Sequence, residues 1–171
     1  QTATDLDGIR FDHFARYEMI AQMLRDERQG KSDSFGLDSF CGTGYGSSMI
    51  AKAVGGAMLG IDASDEAIEF ANEHYGRPSL FYASKKFPFE LPRDTFDFVV
   101  CMESIEHVSD DKGLLTELDK SLKEQGLLFL STPNSAYLSL SINPNPFHFK
   151  HYTFDEVTDL VHGVGDYELL T

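Results

Sequence analysis

From Phe35 onward the chain alternates short apolar runs with stretches of helical periodicity, and this alternation restricts the fold more than any other feature. Phe35–Cys41 reads as a first strand and Ser47–Val54 as a helix ended by Gly55-Gly56. Ala57–Ile61 is a second strand. Asp65–Tyr75 follows as a helix, with Ala67, Ile68, Ala71 and Tyr75 on one side and Ser64 as its N-cap. Leu80–Tyr82, Phe96–Cys101 and Gly126–Ser131 are further strands, and Asp110–Leu122 is a helix with Leu114, Leu115, Leu118 and Leu122 inward. The continuous Phe98-Val99-Val100 run suits a strand covered on both faces. Strand–helix alternation requires crossover connections, hence a mainly parallel central sheet with helices on both sides. The fold class expected is α/β, a Rossmann-like three-layer sandwich.

The flanking segments complete this reading. Residues 1–34 form an N-terminal helical cap, with Phe11, Phe14, Ala15, Ile20, Met23 and Leu24 at helical spacing, followed by a loop at Gln29–Ser34. Residues 35–171 form the core of a single domain spanning 1–171. Residues 133–150, rich in Pro, Asn and Ser, are a long loop of the kind that is usually functional. Thr153 and Glu156 make a capping box for a last helix. Tyr167–Leu170 is a candidate sixth strand; a seventh is expected to be absent or supplied from elsewhere.

Composition narrows the function classes. No apolar run reaches the roughly 18 residues that cross a bilayer, and no signal-peptide pattern is present. Cys41 and Cys101 are the two cysteines, both inside strand-like runs, and read as buried thiols in a reducing compartment. Together these features place the chain in the cytoplasm. The formal charge is −14, and the longest basic cluster is Lys85-Lys86. Such a surface repels phosphate backbones, and no basic stripe with interleaved aromatics offsets it, so nucleic acid is not the expected partner.

Chemistry concentrates at two places. The first is Leu37-Asp38-Ser39-Phe40-Cys41-Gly42-Thr43-Gly44-Tyr45-Gly46-Ser47, a glycine-rich turn between a strand and a helix. Glycines there allow a sharp turn and close approach of a ligand to the main chain. Asp62, at the end of the second strand, is placed to accept hydrogen bonds from both ribose hydroxyls of an adenosine. A dinucleotide site spaces its glycines as Gly-x-Gly-x-x-Gly, whereas here they alternate and Ser47 holds the third position. Asp38, inside the strand, can take a hydrogen bond from an ammonium group lying over the strand end. S-adenosylmethionine carries such an amino acid tail; a nicotinamide dinucleotide does not.

The stretch Leu37–Gly46 resembles motif I of class I S-adenosylmethionine-dependent methyltransferases. Asp62 matches that family's ribose-binding acid, Asp94–Val100 resembles the segment entering its fourth strand, and Leu122–Leu130 resembles its turn into strand five, with Glu124 and Gln125 in place of Pro and Gly. The resemblance implies S-adenosylmethionine as cofactor and Asp38, Cys41, Gly42, Gly44, Tyr45, Gly46, Asp62 and Ala63 as its contacts. Ser84 stands where many relatives hold the adenine with an acid, and Met102 is a candidate to line the adenine pocket. Arg16 and Tyr17 can cover the cofactor's carboxylate.

The second place is Cys101-Met102-Glu103-Ser104-Ile105-Glu106-His107-Val108, together with Asn145-Pro146-Phe147-His148 in the long loop. A helical turn would set Glu103, Glu106 and His107 on one face. His107 is the first choice for a general base, with Glu103 and His148 as further catalytic candidates. Alternatively Glu103, Glu106, His107 and His148 bind a divalent metal such as Mg²⁺ or Mn²⁺ that orients the acceptor. That set resembles the metal site of small-RNA 3′-terminal 2′-O-methyltransferases. Over more of the chain, in His13-x-x-Arg16-Tyr17, Ile105–Val108, Asn145–His148 and Tyr152-Thr153, the sequence resembles bacterial and phage methyltransferases of sugar and surface-polysaccharide synthesis. The expected reaction is therefore O-methylation of a small-molecule or glycan acceptor, with the RNA enzyme and a non-catalytic cofactor-binding module as alternatives. The Ser135–Lys150 loop is the candidate lid, and His151 reads as a surface residue.

Overall fold

The computed structural model describes residues 11–27, 33–142 and 144–170. Among these residues five α-helices and five strands follow in the order α1 (Phe11–Glu27), β1 (Phe35–Ser39), α2 (Tyr45–Val54), β2 (Ala57–Asp62), α3 (Asp65–Tyr75), β3 (Leu80–Ser84), β4 (Phe96–Met102), α4 (Asp111–Ser121), β5 (Leu122–Ser131) and α5 (Phe154–His162). All strand pairs are parallel, in the order β3-β2-β1-β4-β5. The chain winds outward from β1 to β3, then returns to start again at β4 beside β1. This reversal leaves a crevice at the carboxyl ends of β1 and β4, where ligands bind in open α/β sheets.

Side-chain alternation divides the core into two layers. On one face Met58, Tyr82, Phe98 and Val100 pack with Ile20 and Leu24 of α1, Ile50 and Ala51 of α2, and Ile68 and Ala71 of α3. On the other, Leu37, Ile61, Val99 and Cys101 pack with Leu114, Leu115 and Leu118 of α4, and Val157, Leu160 and Val161 of α5 lie against them. The three-layer Rossmann-like sandwich is thus the observed architecture. Cys41 and Cys101 are free and buried, as their apolar surroundings implied. Among the described residues no helix is long and apolar enough to cross a membrane.

Local signals acted largely as read. Ser64 Oγ accepts from Ala67 N and starts α3. Thr153 and Glu156 form a complete capping box at α5. Two expectations need correction. Residues 167–170 form no strand: the Tyr167 hydroxyl donates to Asp119 Oδ1 at 2.7 Å, which ties this segment to α4 instead of the sheet edge. The fifth strand starts at Leu122 rather than Gly126, because Leu122 pairs with Phe96 before a register shift that resumes at Phe98–Leu127. Of the loop expected at Gln29–Ser34, residues 29–32 lie outside the described residues, as do residues 1–10 of the expected cap.

Gly36 explains how the central strands pack so closely: a Cβ there would lie 2.1 Å from Cζ of Phe98, so the ring occupies the space a side chain would need. Phe98 is fully buried at the centre of the first layer. Phe98→Ala should therefore destabilise the fold by about 3–5 kcal/mol, read from urea unfolding midpoints.

Candidate active site

The crevice begins with the turn after β1. Gly42 and Gly44 have φ of 54° and 82°, the left-handed region that glycine enters without strain. A Cβ at Gly42 would meet nothing within 4 Å, so this side of the turn is open to a ligand. Gly44 is closed on its other side, where Tyr82 packs against it and donates its hydroxyl hydrogen to Gly44 O at 2.8 Å. Tyr82 was not read from the sequence as part of the site. It holds the turn from beneath.

Asp38 is fully buried under this turn, and both of its carboxylate oxygens are engaged from within the protein. Ser47 Oγ donates to Oδ2 at 2.6 Å, and the Tyr17 hydroxyl donates to Oδ1 at 3.3 Å. The Tyr17 ring also fills the space over Gly46, where a Cβ would lie 2.3 Å from it. In this structure Asp38 thus anchors α1 and α2 to the strand, where the sequence suggested an open acceptor for an ammonium group. The glycine spacing had marked Ser47 only as a missing glycine, yet it supplies the stronger of these two bonds.

Asp62 sits at the end of β2, half-buried, and accepts from Gly42 N and Ser64 N, both at 2.9 Å. Each oxygen takes one backbone N–H and keeps a further lone pair. The acid is thereby aimed, with capacity left for two hydroxyl donors. Ala63 and Ser84 are exposed at the ends of β2 and β3, and Met102 is half-buried at the end of β4. Cys41 is buried and Tyr45 half-buried, its ring edge-on to Tyr17.

The second cluster follows β4. Glu103 has φ 48°, a left-handed conformation rare for a residue with a side chain and often found at functional positions. Its Oε1 accepts from Ser131 Oγ at 2.8 Å and lies 3.9 Å from Arg16 Nη2. The helical turn then begins two residues after Glu103, as a 3₁₀ turn at Ile105–His107. Glu103 therefore faces Ser131 and Arg16, while Glu106 and His107 join His148 in a separate group. One ligand atom from each of these three residues lies within 4.8 Å of the others. Glu103 is not part of that group.

Glu106 is buried and accepts from Thr132 Oγ1 at 3.0 Å. Burial is the main reason its carboxyl titrates above the usual range. His148 is half-buried and its imidazole titrates below the ordinary value, first through desolvation and then through its neighbours His107 and His151. The long loop is clamped beside this group: Phe149 N donates to Glu106 O at 2.7 Å, and His107 Nδ1 is 2.9 Å from Phe147 O. His151, expected at the surface, is half-buried and contacts His148.

Burial holds the Asp38 carboxyl at a pKa of about 7, against an ordinary value of 3.8, even though its two hydroxyl bonds act the other way. Between these values the folded chain keeps a proton that the unfolded chain releases. This group's contribution to stability is therefore lost as pH rises from about 4 to about 7. Asp38→Asn should flatten that slope, seen as a smaller drop in urea midpoint between pH 5 and pH 8 than in the wild type.

Comparison with known proteins agrees with this geometry. A family profile described as a methyltransferase domain matches residues 37–130, from β1 to β5. A probable S-adenosylmethionine-dependent methyltransferase of Mycobacterium tuberculosis is 30% identical over 167 residues, covering 96% of this chain and 59% of its own. A ubiquinone biosynthesis O-methyltransferase of Methylococcus capsulatus is 36% identical over 109 residues, which is 60% of this chain and 46% of that protein. This chain thus spans about three fifths or less of these relatives' lengths. Among solved structures, an S-adenosylmethionine-dependent methyltransferase of Mesorhizobium loti superposes with a TM-score of 0.70 at 17% identity, covering 87% of this chain and 82% of that one. The YcgJ protein of Bacillus subtilis gives 0.70 at 20% identity, covering 88% and 68%. Both structural likenesses concern the fold. With the profile covering more than half of the residues, including the glycine turn and Asp62, the chain belongs to the methyltransferase-domain family of class I S-adenosylmethionine-dependent methyltransferases.

Proposed function

We propose that this chain is the catalytic domain, over residues 1–171, of an S-adenosylmethionine-dependent O-methyltransferase acting on a small-molecule or glycan hydroxyl. The observation that carries the reading is the Asp62 carboxylate, aimed by Gly42 N and Ser64 N beside an open glycine turn. Its free lone pairs suit a ribose diol, and the turn lets a sulfonium-bearing tail lie along the backbone. When bound, the cofactor supplies an already activated methyl group. The protein then has to align the acceptor, exclude water and accept one proton.

His107 is the residue placed for the proton. Phe147 O is an acceptor only, so His107 Nδ1 carries hydrogen, and in the neutral ring Nε2 is the lone pair. The residue is exposed just beyond the carboxyl end of β4, and in this reading its Nε2 takes the hydroxyl proton during transfer. Arg16, ion-paired with Asp12 and Glu103, is the cation this reading pairs with the tail's carboxylate. The loop Ser135–Lys150, fastened to the cluster through Phe147 O and Phe149 N, serves as the lid in this reading. Likeness to ubiquinone O-methyltransferases supports an oxygen acceptor, and the motif resemblance in Asn145–His148 and Tyr152-Thr153 favours a sugar.

Calorimetric titration with S-adenosylmethionine and S-adenosylhomocysteine tests the reading. Micromolar binding is expected, weakened at least about tenfold in Asp62→Ala through the loss of two charge-assisted hydrogen bonds. Absence of binding by the wild type would overturn it.

The group Glu106, His107 and His148 favours a second reading of the same cluster, in which His107 is a metal ligand instead of the base. One carboxylate and two imidazoles form a mixed oxygen–nitrogen set that can hold a divalent ion, for which Mn²⁺ is the paramagnetic probe. There the ion would act as a Lewis acid that lowers the acceptor's pKa. Mn²⁺ titration followed by electron paramagnetic resonance should show a site that His148→Ala abolishes. A spectrum of free ion in the wild type would leave His107 as the sole device for the proton.

A further inference from the structure

Three imidazoles run in series beside this site. His151 Nδ1 contacts the main-chain oxygen of Leu138, and His151 Nε2 lies 2.6 Å from His148 Nδ1. The His148 ring stands edge-on to His107, with centroids 4.5 Å apart. A carbonyl oxygen only accepts hydrogen bonds, so His151 Nδ1 must carry a hydrogen. In neutral His151 the Nε2 atom is then a lone pair, and the hydrogen in the 2.6 Å contact belongs to His148 Nδ1. One nitrogen of His148 remains, Nε2, and it is bare.

We propose that His151 is a positioning residue: anchored on Leu138 O, it holds His148 in the Nδ1–H tautomer, so that Nε2 is the atom offered to Glu106 and His107. An imidazole free in water favours the opposite tautomer, with its hydrogen on Nε2. In that state His148 would present a donor to the site and could neither take a proton nor ligate a cation. In the neutral ring the 2.6 Å contact to His151 decides which of the two tautomers His148 takes. The same logic, applied through Phe147 O, leaves His107 with a bare Nε2. Each ring of the group thus has its Nδ1 engaged, His107 by Phe147 O and His148 by His151, which leaves Nε2 as the free nitrogen of both. The functional weight of this arrangement rests on reading the cluster as the acceptor site; the tautomer itself does not.

The test uses the full chain with ¹⁵N-labelled histidine and two-bond ¹H–¹⁵N correlation spectra, which distinguish the tautomers directly. His148 in the wild type should show hydrogen on Nδ1. His151→Asn keeps a donor for Leu138 O but offers nothing at the position of Nε2, and His148 should revert mainly to Nε2–H. His151→Gln places an amide oxygen near that position and should restore the Nδ1–H form. Mn²⁺ affinity should fall about 10–100-fold in His151→Asn, as for other outer-sphere partners of a ligand, and recover in His151→Gln. Thermal melts of both variants report whether the fold is kept. An Nε2–H tautomer in the wild type, or identical spectra for the Asn and Gln variants, would overturn the proposal. The expected tautomers with no Mn²⁺ site would uphold the lock and remove only the metal from the proposed function.

Discussion

A carboxylate with no access to water fixes the geometry of this site. Asp38 stands at 0% exposure in the central strand, held by Ser47 from the start of α2 and by Tyr17 from α1. Burying an acid is costly, and its raised pKa records that cost. The two hydroxyl bonds offset part of it, and each one locates a different element. Ser47 sets where α2 leaves the glycine turn, and Tyr17 sets where α1 crosses it. The turn is thereby shaped from below by groups that need not touch a ligand.

Asp62 complements this arrangement. It accepts one N–H from the turn and one from the start of α3, so its orientation depends on the same loop that Asp38 supports. Around the corner of the sheet, Glu103 performs a comparable service for β4. Its left-handed backbone ends the strand abruptly, and its side chain reaches back to Ser131 and Arg16. That change of direction separates Glu103 from Glu106 and His107. The crevice thus has a carboxylate at each of three strand ends, from β1, β2 and β4, in three different environments: sealed, half-buried and ion-paired.

The sheet and its helices were legible because each element carried its own signal. The limits of α3 follow from Ser64, Asp65 and the apolar positions Ala67, Ile68 and Ala71. Thr153 and Glu156 marked α5 just as plainly. The glycine turn and Asp62 were legible because their spacing is local to one strand–helix–strand unit. What the sequence hid depends on contacts between distant segments. Tyr17 reaches Asp38 across 21 positions and Tyr82 reaches Gly44 across 38, and nothing in their immediate neighbours announces it. The i, i+3, i+4 spacing of Glu103, Glu106 and His107 misled for a related reason: a helical wheel assumes helical backbone at every position, and Glu103 lies outside it. Tyr167 looked like a strand residue, but its hydroxyl is tied to Asp119 of α4, 48 positions away.

The clamped loop has a consequence for how such a protein diversifies. Its base is closed by Ser135 N on Tyr152 O, by the pairing of Asn134 with Tyr152, and by Phe149 N on Glu106 O. Tyr152 is itself buried and tied to Asp111. The stretch between these fastenings, with exposed Tyr137, Ile142 and Phe147, contributes little to the core. Loop closure costs only about 0.6 kcal/mol for each doubling of length. Insertions or exchanges within 139–146, beyond the Leu138 oxygen that holds His151, can therefore accumulate in a lineage at small cost to folding. The surface beside the histidines is free to drift by replacement of one cassette, while the glycine turn stays under an independent constraint.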